Sequence, residues 1–155
     1  MQDLIADKLA ERGTPLPEVI APLAAYVPAL TVGSFVYTSG QVPFVDGKLL
    51  VSGHVGAEVS PEEAEKQAEI CVLNALAAIK AQIGSLDRVK QVVKLTGFVN
   101  SDPEFTGQPG VINGGSNLLK EVFGEKGAHA RSAVGVASLP LGASVEIELT
   151  VEIEA

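Results

Sequence analysis

The stretch AHARSAVGVASLPLGASVEIELTVEIEA, residues 128–155, decides the fold. Between residues 145 and 154, apolar side chains alternate with Glu and Thr, which is the period of a strand that buries one face. The run before it, 131–139, also reads as a strand, and Pro140–Gly142 between the two runs is a turn of hairpin length. The stretch therefore predicts two paired strands, with Arg131 toward the far end of the ribbon.

A long helix is the clearest element upstream of this ribbon. Ser60 and Glu63 form a capping box, and Gly84 supplies the stop. The residues between them carry one apolar stripe at helical spacing. Cys71 lies on this stripe, which makes it a core residue rather than a redox or catalytic thiol. The sequence predicts a helix over residues 60–83.

The remaining segments complete an α+β pattern. They are, in chain order, a short amphipathic helix at 3–12, a proline-rich connector at 15–28, a hairpin around Gly33–Ser34, a third short strand after Asp46–Gly47, a strand covered on both faces at 89–100, a Gly/Pro-rich loop at 101–117 and a helix ending near Gly124. The first half is expected to be an antiparallel meander. The whole order predicts a mostly antiparallel mixed sheet with two helices packed on one face. Association between copies of the chain is the obvious way to cover the other face.

The composition limits the classes of protein to consider. The 155 residues suit one domain, in which 1–25 form the N-terminal helix and connector and 26–155 form the core. The formal net charge is −8 and the basic residues are scattered, so nucleic acid is a poor candidate for a partner. No apolar run approaches the roughly 20 residues of a membrane span. The N-terminus lacks the apolar core of a signal peptide, so we expect a cytoplasmic protein.

Common catalytic motifs are absent. There is no Gly-rich phosphate loop, Ser39 in TSGQ lacks the Gly-x-Ser-x-Gly of a nucleophile elbow, and His54 and His129 lack a metal-ligand pattern. Arg131 remains as an anchor for a carboxylate, because a guanidinium stays charged and its planar fork matches that group. The glutamates of the last strand could hold a water. Alternatively, they form a solvated acidic edge with Arg131 as their salt-bridge partner, and the residues alone leave both open.

Four stretches resemble the RidA/YjgF family of reactive intermediate deaminases, which are also called endoribonucleases of the liver perchloric-acid-soluble protein type. They are YTSGQVP at 37–43, the helix opening after Ser60, VVKLTGFVNS at 92–101 and ARSAVGVASLPLGASVEIE at 130–148. The resemblance spans about residues 26–153. It implies a chorismate-mutase-like fold with a six-stranded sheet, and a homotrimer with its three sites in the clefts between subunits.

The resemblance also implies roles for individual residues. The arginine that binds the substrate carboxylate corresponds to Arg131, and the glutamate that positions the attacking water corresponds to Glu146. The implied substrate-binding residues are, in chain order, Tyr26, Ser39, Gly40, Ser116, Asn117 and Ala133. The last of these offers its backbone to the substrate nitrogen, while Ser116 and Asn117 are alternative equivalents of a pocket asparagine.

The implied reaction is hydrolysis of a small enamine or imine carboxylate to a keto acid and ammonia, as in 2-iminobutanoate/2-iminopropanoate deaminases, without a metal or organic cofactor. Two alternatives stay open. One is a non-catalytic trimer that binds small carboxylates, and the other is an endoribonuclease or translation inhibitor. The chain departs from the family pattern at residues 24–28, in its N-terminal helix and in a longer loop at 106–117, which places it in a divergent, longer subgroup.

Overall fold

The computed structural model describes residues 2–22 and 24–155, which form three α-helices and seven β-strands. The helices are α1 (Leu4–Glu11), α2 (Pro61–Ile83) and α3 (Gln108–Phe123). The strands are β1 (Ala29–Val32), β2 (Phe35–Thr38), β3 (Phe44–Val45), β4 (Lys48–Leu49), β5 (Val89–Asn100), β6 (Ala130–Val136) and β7 (Val145–Ile153). The α+β class is as predicted. None of the described helices is long and apolar enough to cross a lipid bilayer.

Strand β5 lies between β6 and β7. The main sheet has the order β1-β2-β7-β5-β6, in which β6 runs parallel to β5 and the other neighbours are antiparallel. The predicted hairpin between the last two strands is therefore wrong. When a helix connects two neighbouring strands of one sheet, the second strand typically runs parallel to the first. β5, α3 and β6 form such a unit. Pro140–Gly142 forms a short 3₁₀ turn on the way to β7.

The first half of the chain gives a hairpin and a separate ribbon. β1 and β2 pair around Gly33–Ser34, as predicted. β3 and β4 pair with each other across Asp46–Gly47, whose φ angles are 51° and 78°. Two positive φ angles are typical of a tight two-residue hairpin turn. A three-stranded meander does not form, and the main sheet has five strands rather than the six that the resemblance implies.

Helix α2 begins and ends where its capping residues predict. Ser60 Oγ accepts a hydrogen bond from the backbone N–H of Glu63 at 3.1 Å, and Gly84, with a φ of 89°, follows its last turn. Cys71 is fully buried on this helix, as expected of a core residue. Helix α3 was predicted less well, because it begins at Gln108, inside the segment 101–117 that we expected to be a loop.

The glycines that suggested a loop allow α3 to pack closely on α2. A Cβ on Gly114 would lie 2.0 Å from the carbonyl oxygen of Glu65, and one on Gly115 would lie 2.7 Å from Cγ2 of Val72. Glycine is needed here for close approach, although it lowers helix propensity. Gly-rich composition is the usual mark of a loop, which is why the sequence pattern misled us.

Helix α1 is fixed to the rest of the structure at both ends. One carboxylate oxygen of Asp3 caps the helix, and the other accepts a hydrogen bond from the backbone N–H of Leu86 at 2.9 Å. Just after the helix, Arg12 contacts Glu69 of α2 at 2.5 Å and Glu121 of α3 at 2.9 Å. The predicted N-terminal helix is confirmed. Its C-terminal end, after which the proline-rich connector begins, is held by the contacts of Arg12.

Strand β5 has apolar residues on both parities partly because its register shifts twice. The shifts fall between Val89 and Gln91 and between Val92 and Lys94. They keep Val89, Val92 and Leu95 buried on the side of the sheet that faces the helices. Within the described chain the opposite side of β5 is only half-buried, so coverage of this strand on both faces stays a prediction.

The other side of the sheet, here called the open face, is bare and partly apolar. Its register pairs Leu30 with Tyr37 and Phe98 with Val134. Leu30, Tyr37 and Val134 are 53%, 46% and 45% exposed. Neighbouring apolar side chains that are left this exposed often mark an interaction surface.

Two glycine substitutions in α3 should change stability in opposite directions. Gly114→Ala should lower the free energy of unfolding by about 1–3 kcal/mol, because its methyl group would overlap the backbone of α2. Gly110→Ala is the matched control in the same helix. A Cβ there would meet nothing within 4 Å, so the change should raise stability by up to about 1 kcal/mol. Urea unfolding measures both, and a stabilising Gly114→Ala would contradict the packing argument.

Candidate functional site

Arg131 lies on the helix side of the sheet, at its edge. In register it is paired with Leu95, which is fully buried beneath the helices, and paired residues on neighbouring strands point to the same face. Its Nη1 donates hydrogen bonds to Asn113 Oδ1 at 2.7 Å and to Ser116 Oγ at 3.3 Å. Both acceptors lie on one face of α3, three residues apart. The guanidinium is thus held by neutral groups.

His129 extends this contact. Its Nε2 lies 2.9 Å from Ser116 Oγ, and its Nδ1 lies 2.6 Å from the carbonyl oxygen of Gly127. Because a carbonyl oxygen can only accept, Nδ1 carries a hydrogen, and in the tautomer in which it carries the only ring hydrogen, Nε2 accepts from the Ser116 hydroxyl. Asn113, Ser116, His129 and Arg131 are here called the arginine cluster.

Glu146 lies on the open face, where it is paired in register with Phe98. Burial, followed by the nearby charge of Glu148, raises the pKa of its carboxyl group. A Cβ on Gly40 would lie 2.9 Å from both Cδ and Oε1 of Glu146. Glycine at position 40 therefore leaves the room that the carboxylate occupies.

A cleft of about 300 Å³ lies beside Glu146. The connector contributes Ile20 and Tyr26 to the wall of this cleft. β3 contributes Phe44, and the turn before β7 contributes Leu141. Among the described residues that line it, Glu146 is the one charged side chain. Such a mostly apolar cleft with few polar groups is typical of small-molecule sites.

Ser39 holds one wall of this cleft in place. Its hydroxyl donates to the carbonyl oxygen of Val27 at 2.5 Å, and its backbone N–H donates to that of Pro28 at 2.9 Å. These bonds fasten the connector beside Tyr26, which lines the cleft with Gly40. The structure therefore brings Tyr26 and Gly40 to Glu146. Ser39 does not line the cleft, and it holds the connector by hydrogen bonds to the backbone carbonyl oxygens of Val27 and Pro28.

The two remaining predicted residues lie elsewhere. Ala133 is paired with Gly97 and packs against the core, two residues along β6 from Arg131. Asn117 lines a different groove, which it shares with Arg12 and other residues of α2 and α3. Of the two equivalents considered for a pocket asparagine, Ser116 contacts Arg131 and Asn117 does not.

Arg131 and Glu146 do not meet within one chain. Arg131 is level with Leu95 and Glu146 with Phe98, so they are two strands apart, three residues apart along the sheet and on opposite faces. Standard strand spacings put their Cα atoms roughly 14 Å apart. A small substrate cannot touch both side chains of the same chain.

Sequence reasoning missed two members of the arginine cluster. Asn113 fell within the predicted loop, and only its spacing from Ser116 on a helix reveals that they share a face. His129 was considered only as a metal ligand. Its place two residues before Arg131, at the start of a strand, was the signal that could have linked them.

The other histidine and the cysteine lie outside these groups. His54 contacts the carbonyl oxygen of Ala137 at 3.2 Å and Glu58 at 3.5 Å. Burial, and then the charge of Glu146, raises the pKa of Cys71, so its thiol stays protonated. In residues 2–22 and 24–155, no three His, Cys, Asp or Glu side chains converge as metal ligands would.

Replacing Glu146 by Gln should raise the free energy of unfolding at neutral pH, and this gain should shrink in acid. The folded chain holds the Glu146 proton more tightly than the unfolded chain does, so ionisation of this group costs stability as pH rises through its raised pKa. Urea unfolding between about pH 4 and pH 8 measures the difference. Glu154→Gln, at an exposed position after β7, is the control. A gain that did not vary with pH would contradict the burial argument.

Known proteins resemble most of this chain. Protein TCP17 of Trypanosoma cruzi is 45% identical over 150 residues, which cover 96% of this chain and 94% of that one. A Dermatophagoides farinae protein named 2-iminobutanoate/2-iminopropanoate deaminase is 35% identical over 134 residues, covering 86% and 89%. The crystal structure of Atu1372, a protein of unknown function from Agrobacterium tumefaciens, superposes with a TM-score of 0.91 at 49% identity, covering 97% and 94%.

A family model points the same way. The model described as "YjgF/chorismate mutase-like, putative endoribonuclease" matches residues 6–153. This range includes both the arginine cluster and the cleft beside Glu146. The chain belongs to the YjgF/RidA family, whose chorismate-mutase-like fold it has.

Proposed function

We propose that the protein hydrolyses small imine or enamine carboxylates to keto acids and ammonia, in sites formed between the chains of a homotrimer. The observation that carries the proposal is the placement of Arg131 and Glu146 on opposite faces of one sheet. A site that uses both must take Arg131 from one chain and Glu146 from its neighbour. The relative named as a 2-iminobutanoate/2-iminopropanoate deaminase supports the choice of reaction.

The open face supports association. Side chains such as Tyr37 and Val134 are about half exposed there, although they lie on ordered strands. Covering them with a second copy would remove apolar surface from water, at roughly 25 cal/mol for each Å² buried. In a closed ring each copy contacts the next copy with one surface and the previous copy with a different surface. A trimer therefore has three equivalent interfaces and three equivalent sites.

Arg131 binds the substrate carboxylate in this proposal. Its partners Asn113 and Ser116 are neutral, so its charge is available to an anion. A guanidinium–carboxylate pair with two parallel hydrogen bonds fixes the orientation of the ligand as well as its position. The C=N carbon next to the carboxylate is then held beside Glu146 of the neighbouring chain.

Glu146 activates the water. The water oxygen bonds to the C=N carbon while one water proton passes to the Glu146 carboxylate. The electron pair of the C=N π bond moves to the nitrogen, which takes that proton from Glu146. In the resulting carbinolamine, the hydroxyl proton passes through Glu146 to the amine nitrogen, the C–N bond breaks to release ammonia, and the hydroxyl oxygen becomes the carbonyl oxygen of the keto acid. Burial raises the pKa of Glu146, which makes its carboxylate a better base than an exposed one.

RNA cleavage fits the cleft less well, although the family description names an endoribonuclease. The cleft has no Lys or Arg among its described lining residues, and the chain carries a net charge of −8. Proteins that bind RNA need cationic groups along the phosphate backbone. Small carboxylates and other copies of this chain are therefore the proposed partners, and the cytoplasm is the proposed location.

Substitution at the two proposed catalytic positions should affect different kinetic constants. Arg131→Ala should raise KM about 10- to 100-fold through loss of a charge-assisted contact, and Arg131→Lys should be intermediate. Glu146→Gln should lower kcat by about 100-fold or more. Imines generated in situ by an amino acid oxidase, with keto acid release followed, provide the assay, and Glu154→Gln is the control. If the protein binds 2-oxobutanoate saturably but does not hydrolyse the imines, the result would contradict catalysis and favour the non-catalytic binding function.

Mixing the two impaired variants should restore native kinetics at some of the sites. If each site takes Arg131 and Glu146 from different chains, trimers reassembled from Arg131→Ala and Glu146→Gln chains contain some sites with both native residues, about a quarter for equal mixing. Light scattering should first give three times the 16.0 kDa mass of one chain. A monomer, or mixed trimers no more active than the separate variants, would contradict the shared site.

A further inference from the structure

We propose that His129 positions Arg131 through Ser116, so that the carboxylate anchor is a relay of three side chains. The inference rests on the proposed function, since it concerns the same carboxylate. His129 touches neither the substrate nor the water in this proposal, and it acts by fixing the hydroxyl that the guanidinium contacts.

The hydrogen bonds run in one direction along the relay. His129 Nδ1–H donates to the Gly127 carbonyl at 2.6 Å, which leaves Nε2 as an acceptor. The Ser116 hydroxyl donates its only hydrogen to that nitrogen at 2.9 Å. Its lone pairs then face Arg131 Nη1 at 3.3 Å. In the neutral tautomer with its hydrogen on Nδ1, each group thus has one role along the chain of bonds.

The far end of the relay is rigid. A Cβ on Gly127 would lie 2.3 Å from the carbonyl oxygen of Leu119, so the Gly127 backbone packs directly on α3. Ser116 lies on the same helix. The acceptor at Gly127 and the hydroxyl of Ser116 are therefore both held by α3, and the relay ends at Arg131 on β6.

Without His129, Ser116 has another hydrogen-bond partner. A serine hydroxyl inside a helix readily donates to the carbonyl oxygen four residues earlier, which here belongs to Ile112. That bond requires a different rotamer and moves Oγ relative to Arg131. His129 thus selects the serine rotamer that supports the guanidinium.

A purely structural role for His129 predicts something different. In that case the ring only ties the start of β6 to α3, and its loss lowers stability without a particular effect on anions. Two amide replacements distinguish the roles. His129→Gln can place an amide oxygen near the position of Nε2 and accept from Ser116, whereas His129→Asn can keep a donor to Gly127 but is too short to reach Ser116.

Calorimetric titration of the full-length assembly with 2-oxobutanoate, and with its uncharged amide, tests the relay. H129A should weaken binding of the carboxylate about 3- to 10-fold, the effect of one hydrogen bond, and leave binding of the amide unchanged. H129Q should bind nearly as tightly as the native protein, and H129N should resemble H129A. In turnover, the loss should appear in KM rather than kcat. H54A, which removes the other histidine, is the matched control.

A double-mutant cycle gives the second readout. Because Ser116 and His129 act in series, S116A/H129A should bind 2-oxobutanoate no more weakly than S116A. Additive losses, equal rescue by both amides, or native binding by H129A would each overturn the relay. If R131A loses binding and H129A does not, only the relay fails. If R131A binds as tightly as the native protein, the carboxylate anchor of the proposed function fails as well.

Discussion

The double pairing of β5 determines the rest of this structure. One edge takes β6 in parallel and the other takes β7 antiparallel, which separates the two C-terminal strands that are adjacent in sequence. Had they formed a hairpin, Arg131 and the glutamates of β7 would have been neighbours in one chain. Instead β5 places the arginine on the helix side and Glu146 on the open face. A function that needs both charges then requires a second chain.

The partners of Arg131 exclude, within the described residues, the ion pair with β7 glutamates that the sequence alone left open. A solvated acidic edge would place β7 glutamates against the guanidinium. Its acceptors are instead the amide oxygen of Asn113 and the hydroxyl of Ser116, and Arg131 forms no ion pair within residues 2–22 and 24–155. Neutral acceptors orient a cation without neutralising it, which favours an anion-binding role over a structural salt bridge.

Local rules predicted the elements whose ends depend on nearby residues. The cap at Ser60, the stop at Gly84 and the turn at Gly33–Ser34 are satisfied within a few residues, and those elements are confirmed. Gly114 and Gly115 meet a helix about fifty residues away in sequence, and the partner of β6 is chosen by the crossover through α3. Such long-range contacts have no local pattern. Residue chemistry singled out Arg131 and the family resemblance supplied Glu146, but neither pointed to Asn113 or His129, which no motif quoted for the family contains.

The way in which Arg131 is held also affects the thermodynamics of binding. A free arginine side chain samples many rotamers, and immobilising it on a ligand costs about 0.5–1.5 kcal/mol of conformational entropy. Asn113 and Ser116 restrict those rotamers before any anion arrives. Much of this entropy is therefore lost during folding rather than during association. The anchor of the proposed site is thus preorganised, so more of the electrostatic attraction would be available as affinity.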